Sequence, residues 1–127
     1  MNDLNGLTVL VVDDDRHGRE VLRAMLEDHG ILVIDAASGQ QALAVLKAVD
    51  DVGVILVDVV LPGGGPSLVS EARRLRPTTP ILLMSGYRVD DLSDAFRTCG
   101  ATGFIQKPFD AVRLAGQLFR AAGVGVP

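Results

Sequence analysis

Apolar residues fall into two alternating modes along this chain. Short, mostly continuous apolar runs span Leu7 to Val12, Ile31 to Ala36, Val52 to Val57, Ile81 to Met84 and Gly103 to Gln106. Such runs lack polar alternation, which predicts strands covered on both faces, as in a parallel sheet. Between them, apolar positions recur at helical spacing. The predicted inward sets are Val21, Leu22, Met25 and Leu26; Ala42, Leu43, Val45, Leu46 and Val49; Leu68, Val69, Ala72 and Leu75; Leu92, Ala95 and Phe96; and Val112, Ala115, Leu118 and Phe119. Gly30 and Gly100 close the first and fourth helices, since glycine suits the residue after a helix. Ser38 and Gln41 have capping-box spacing, and Asp110 can cap the last helix. Leu61-Pro62-Gly63-Gly64-Gly65-Pro66 is a loop, Pro77 and Pro80 break the chain before the fourth strand, and the tail from Gly123 to Pro127 is expected to fray.

Five strands alternating with five helices predict an α/β fold: one five-stranded parallel sheet, doubly wound as (βα)5 with right-handed crossovers. Periodicity leaves the strand order open. No repeat or long linker divides the chain, so residues 1–127 are expected to form a single domain with its core at about 7–120 and short flexible ends. The composition is 48% apolar but 4% aromatic, which predicts an aliphatic core. Twelve basic against sixteen acidic residues, with no basic tract, argue against direct nucleic acid binding. Cys99 stands alone, which rules out an intramolecular disulfide and fits a reducing compartment. No apolar run approaches the roughly 20 residues of a membrane helix, and Met1-Asn2-Asp3-Leu4 lacks a secretory start. The expected setting is cytoplasmic, away from membranes.

In parallel sheets, ligands bind beyond the carboxyl ends of the strands. Four of the five predicted strands are followed at once by a reactive or polar side chain: Asp13 and Asp14 after the first, Asp58 after the third, Ser85 after the fourth and Lys107 after the fifth. The second contributes none, which suits an edge. Each piece alone is ordinary. Aspartates after a strand usually cap a helix or face solvent, Ser85-Gly86 is a common turn, and Lys107-Pro108 is a common strand exit. Together they assemble three carboxylates, a hydroxyl and an ammonium on one rim. Crowded carboxylates call for a cation, and oxygen ligands favour Mg²⁺ or Mn²⁺. One carboxylate could then attack phosphorus, with the remaining groups stabilising the phosphoryl oxygens.

These segments resemble the receiver domain of two-component response regulators. The resemblance covers roughly Leu7 to Arg120. It rests on Val9-Leu10-Val11-Val12-Asp13-Asp14-Asp15, on Ile55-Leu56-Val57-Asp58 followed by Leu61-Pro62-Gly63, on Leu83-Met84-Ser85-Gly86-Tyr87, and on Phe104-Ile105-Gln106-Lys107-Pro108-Phe109. The last two are similar to receivers of hybrid histidine kinases. The resemblance implies a flavodoxin-like strand order 2-1-3-4-5. It implies Asp58 as phosphoacceptor, Asp14 as direct metal ligand, Asp13 as ligand mainly through water, and the backbone carbonyl of Val60 as a further ligand. Ser85 and Lys107 would contact the phosphoryl group, and Ser85 and Phe104 would form the switch. Asp15 is expected to cap a helix, and His17 and His29 are expected at the surface. The family's usual glycine eight positions after the acceptor is replaced here by Pro66, which suits a first helical turn but leaves the loop geometry open.

The implied activity is Mg²⁺-dependent transfer from a phosphohistidine, on a histidine kinase or histidine phosphotransferase, to Asp58. The domain would catalyse its own phosphorylation and dephosphorylation rather than turn over a separate substrate. The face of helix 4, strand 5 and helix 5 would signal to a downstream protein or fused domain. Val60 cannot hydrogen-bond an attacking water and Tyr87 can crowd it, so slow phosphoryl loss is expected. Three alternatives remain. A haloacid dehalogenase-type phosphatase would use Asp13 as nucleophile in Asp13-Asp14-Asp15, but it lacks a late acidic pair and leaves Asp58 idle. A phosphorylation-independent interaction module would not need the intact acidic set. A flavin-binding protein of this architecture would want more aromatic residues.

Overall fold

The computed structural model describes residues 6–62, 65–92 and 94–123. The five expected strands are present as β1 (Thr8–Val12), β2 (Leu32–Ala36), β3 (Val54–Asp58), β4 (Ile81–Ser85) and β5 (Gly103–Gln106). They alternate with α1 (Arg16–Glu27), α2 (Gly39–Ala48), α3 (Gly65–Leu75), α4 (Asp94–Arg97) and α5 (Ala111–Ala122). All four pairings are parallel and the order is β2-β1-β3-β4-β5. The chain therefore has the flavodoxin-like order that the resemblance implied, with β2 on an edge.

Alternation along each strand divides the core. Val9, Val11, Leu56 and Met84 pack with Leu22 and Leu26 of α1 and with Leu114, Leu118 and Phe119 of α5. Leu10, Val12, Ile55, Val57 and Leu83 pack with Ala42 and Leu46 of α2 and with Leu68 and Val69 of α3. Both faces of the central strands are thus buried, which explains why their sequences carry no polar alternation.

The caps follow the sequence. Asp15 accepts from Gly18 N and opens α1, Ser38 accepts from Gln41 N and opens α2, and Asp110 accepts from Arg113 N and opens α5. Gln41 returns its side-chain oxygen to Ala37 N at 2.7 Å. Gly30 takes φ +78° after α1, a conformation that costs other residues steric strain. Pro66 is the second residue of α3, where proline's fixed φ is compatible with a helix start.

Several inward expectations fail. Val112 is 70% exposed in the first turn of α5, Val21 and Leu75 are also exposed, and Met25, Leu43, Val45 and Val49 are only half-buried. A helix resting on a sheet buries a narrow stripe, here Leu22 and Leu26 in α1 and Leu114, Leu118 and Phe119 in α5, so residues one step round the wheel stay at its margin. In the fourth helix, Leu92 is buried but precedes α4, which is a single turn, and Ala95 is exposed. Gly63, Gly64 and the tail from Val124 lie outside the described residues.

Candidate phosphoacceptor site

The strand register sets four site residues in a row along the carboxyl rim. Val12 pairs with Val57, so Asp13 follows beside Asp58; Asp58 pairs with Met84, next to Ser85; and Ser85 pairs with Gln106, next to Lys107. Backbone bonds continue past the strands: Asp13 N donates to Ala36 O, Val59 N to Met84 O, and Lys107 N to Ser85 O. The sheet itself therefore positions this row.

Asp58 is buried, with 6% of its surface exposed. Its two carboxylate oxygens have different partners. Oδ1 accepts from Val60 N at 2.8 Å, and Oδ2 accepts from the Lys107 ammonium at 2.7 Å. Lys107 keeps part of its side chain in solvent, as expected of a cation whose stem packs inward and whose head stays hydrated. Asp13 is equally buried, and its Oδ1 accepts from Asp15 N at 2.9 Å. Burial pushes the Asp13 carboxyl above its ordinary pKa, and the Asp58 and Asp14 charges add to the rise, while the Asp15 amide and Lys107 oppose it. Ser85 is 2% exposed, and its hydroxyl oxygen accepts from Tyr87 N at 2.8 Å.

Structure and sequence differ in how Asp14 and Val60 sit. Asp14 is exposed, and Asp13, Asp14 and Asp58 do not converge as a three-carboxylate metal cluster among the described residues. Three anions facing one ammonium repel one another, and Asp58 is already held by Lys107. Val60 turns its side chain to solvent, and it is its backbone amide that meets the site, donating to Asp58 Oδ1. Phe104 is half-buried against the α2–α3–α4 side of the core, as are Phe96, Cys99 and Ala101. His17 is exposed and His29 half-exposed.

The donor set suits a hard divalent cation. It offers oxygen atoms alone, and two of the carboxylates are buried. The Asp13 carboxyl is raised above its ordinary pKa, chiefly by burial and further by the Asp58 and Asp14 charges, which a cation would offset.

Residues 9–119 match the response regulator receiver domain profile. The chain belongs to the response regulator receiver family. Among curated relatives, this receiver is 36% identical over 115 residues to the C4-dicarboxylate transport transcriptional regulatory protein DctD of Rhizobium meliloti, covering 90% of this chain and 25% of that protein. It is 34% identical over 116 residues to the sensor kinase CckA of Brucella abortus, covering 89% of this chain and 12% of that one. The receiver thus spans a quarter or less of these two longer relatives. A 14.6 kDa protein of Leptolyngbya boryana is nearer in size, at 35% identity over 90% of this chain and 88% of its own length. Among solved structures, chemotaxis protein CheY4 of Vibrio cholerae superposes with a TM-score of 0.82 at 32% identity, covering 91% of this chain and 98% of that one. Receivers of this family act in two-component signalling and use Mg²⁺ for phosphorylation. Among the described residues, no helix is long and apolar enough to cross a membrane.

Sequence reasoning missed Arg19 and Asp35, which border the acidic turn. Arg19 Nη1 donates to the backbone carbonyl of Asp13 at 2.8 Å, and its Nε donates to Asp35 Oδ2 at 3.1 Å. Asp35 interrupts an apolar strand on the face that carries Val33; that misplaced charge was the available signal. Gly18 was missed too: a Cβ there would stand 3.0 Å from Asp13 Oδ2.

Proposed function

We propose that Asp58 accepts a phosphoryl group from a phosphohistidine of a histidine kinase or histidine phosphotransferase. The observation that carries this reading is the buried Asp58 carboxylate held at both oxygens, by Lys107 and by the Val60 amide. Such a carboxylate is fixed in orientation before a donor arrives, which lowers the entropic part of the barrier. One Asp58 oxygen attacks phosphorus, a P–O bond forms as the P–N bond to the donor imidazole breaks, and the imidazole leaves carrying the bond's electron pair. Lys107 exchanges its bond to Asp58 for one to a phosphoryl oxygen, where its charge opposes the charge that accumulates. The Ser85 oxygen already accepts from Tyr87 N, so its proton is available to donate to a second phosphoryl oxygen.

Mg²⁺ or Mn²⁺, when bound, supplies charge neutralisation at the phosphoryl oxygens. Asp13, Asp14, Asp58 and the Val60 carbonyl are the residues to hold it, with Asp14 moving in from solvent. An apolar pocket of about 210 Å³ between α1 and the turn after β5, lined by Asp13, Val21, Met25, Lys107 and Phe109, adjoins the site at Asp13 and Lys107. It gives a donor protein an apolar foothold next to the reacting atoms. Once Ser85 turns towards the phosphoryl group, Phe104 rotates inward and alters the face of α4, β5 and α5. That face then contacts a downstream protein or a fused domain. The single-domain extent over residues 1–127 and a cytoplasmic setting belong to the same proposal.

Incubation with acetyl phosphate and Mg²⁺, followed by mass spectrometric mapping of the acyl phosphate, tests the assignment. The expected label is on Asp58 and vanishes in Asp58→Asn. A label on Asp13 would favour a phosphatase of the haloacid dehalogenase type, and no label under any condition would favour a phosphorylation-independent module.

A further inference from the structure

Arg19 is the least exposed arginine among those that form ion pairs in the described residues, with 15% of its side chain accessible. Its guanidinium does two things at once. Nε pairs with Asp35 Oδ2 at 3.1 Å, and Nη1 donates to the Asp13 carbonyl at 2.8 Å. Asp35 is in turn gripped from its other oxygen by Arg23 Nη2 at 3.0 Å, while Arg23 Nη1 reaches the Val33 carbonyl at 2.9 Å. The edge strand β2, helix α1 and the turn after β1 are therefore joined through two planar guanidinium groups. Every backbone polar atom of Asp13 has a partner: its N–H goes to Ala36 O and its carbonyl to Arg19. Its side chain is fixed by the Asp15 amide and fits into the space that Gly18 leaves open.

We propose that Arg19, seated by Asp35, is a positioning residue for the divalent cation site, fixing the Asp13–Asp14 turn through the Asp13 carbonyl. The proposal rests on the phosphoacceptor reading above. Arg19 makes no hydrogen bond to Asp58; its side-chain bonds go to Asp35 and to the Asp13 carbonyl. Its charge is already matched by Asp35, so what reaches the acidic turn is a directed hydrogen bond. The fork geometry is essential. A lysine has one nitrogen at the end of a flexible stem and cannot hold Asp35 and the Asp13 carbonyl in the same fixed directions. An exposed Asp14 needs a stable hinge if it is to swing towards a cation, and the carbonyl pinned by Arg19 belongs to the peptide unit that joins Asp13 to Asp14. Groups that orient metal ligands in this indirect way commonly change metal affinity by about 10–100-fold when removed.

The test is a magnesium titration of the full chain without phosphorylation, read by amide NMR shifts of the 13–15 turn and by fluorescence of Tyr87, which follows Ser85 at the rim. Arg19→Lys and Asp35→Asn are expected to weaken Mg²⁺ binding by about 10-fold each, and the double variant is expected to be no weaker than Arg19→Lys alone. Val69→Ala, on α3 in the core cluster opposite the one that packs under α1, destabilises through the core but is expected to keep wild-type affinity, which separates positioning from general loss of stability. Arg19→Lys and Asp35→Asn variants that bind Mg²⁺ as wild type does overturn the proposal while leaving Asp58 as acceptor intact. A wild-type chain that shows no Mg²⁺ binding overturns the proposal together with the reading beneath it.

Discussion

The acceptor row draws on two corners of the sheet that are built differently. The corner of β1, α1 and β2 supplies Asp13 and Asp14. It has a three-turn helix capped by Asp15, and Arg19 and Arg23 bind Asp35 and the β2 backbone. The corner of β4, α4 and β5 supplies Ser85 and Lys107. There α4 is one turn, its Arg97–Asp94 pair is exposed and 3.6 Å long, and Phe104 is half-buried. Both corners put polar groups on the same rim, but one is cross-braced and the other lightly packed. Segments with few buried contacts open at low free energy and are the ones that switching can use. Under the proposed function, the contrast predicts that the first corner holds the cation site and the second moves.

Core truncations give the largest effects. Phe119, in α5, is 1% exposed and packs on the braced side. Phe119→Ala is expected to cost about 3–5 kcal/mol, measured by urea unfolding. Phe96, on α4, is half-buried, and Phe96→Ala is expected to cost about 1 kcal/mol. Native-state hydrogen exchange should show the same division, with α4 amides exchanging well before those of α1. Equal costs and equal protection would erase the contrast.

Lys107 comes next. It is the ammonium on Asp58, and Lys107→Ala is expected to slow phosphorylation by acetyl phosphate by about 100-fold, roughly 2.7 kcal/mol of barrier. The fold is expected to survive, because the side chain lies at the rim and partly in solvent. A rate within a few-fold of wild type would leave Lys107 as a structural tether.

The parts of this molecule that were legible from sequence are those governed by local pattern. Unbroken apolar runs mark the buried central strands, and Asp15, Ser38 and Asp110 mark three helix starts, each capping the helix that follows it. Strand ends pointed to Asp13, Asp58, Ser85 and Lys107 because a parallel sheet must deliver such positions to one edge. What stayed hidden depends on tertiary neighbours. Nothing local shows that Val112 faces solvent or that α4 stops after one turn. The Arg19–Asp35 link joins residues 16 apart in sequence, and its one trace is an aspartate in an otherwise apolar strand. The exposure of Asp14 was hidden as well, because adjacent aspartates look alike until one is buried by the fold.

Asp13 gives a test of the braced corner. Its folded pKa lies above its unfolded one, chiefly through burial. Between those two values the native state keeps a proton that the unfolded chain has lost, so stability falls as pH rises through that window. Without metal, Asp13→Asn is expected to remove this decline and to melt higher than wild type at neutral pH. With Mg²⁺ at 100 times its dissociation constant, wild type should gain about 2.7 kcal/mol, and Asp13→Asn should lose most of that gain. Thermal melts with EDTA and with Mg²⁺ at several pH values separate the two effects. A wild type whose metal-free stability is flat from acid to neutral pH would contradict the burial argument.

The smallest effect concerns the lifetime of the phosphorylated state and belongs to neither corner. Val60 is exposed beside the acceptor and Tyr87 is exposed beside Ser85. Neither an aliphatic side chain nor an aromatic face can orient a water for attack on the acyl phosphate. An amide at position 60 can accept a hydrogen bond from that water, and one such bond is worth about 1 kcal/mol, or about 5-fold in rate. Val60→Asn is therefore expected to shorten the phosphoryl lifetime by about that factor, read as decay of the phosphorylated protein after acetyl phosphate is removed. Its rate of phosphorylation should hardly change, since the Val60 contact with Asp58 is made by the backbone amide and not by the side chain. A longer lifetime in the asparagine variant would mean that water reaches phosphorus by a path Val60 does not border.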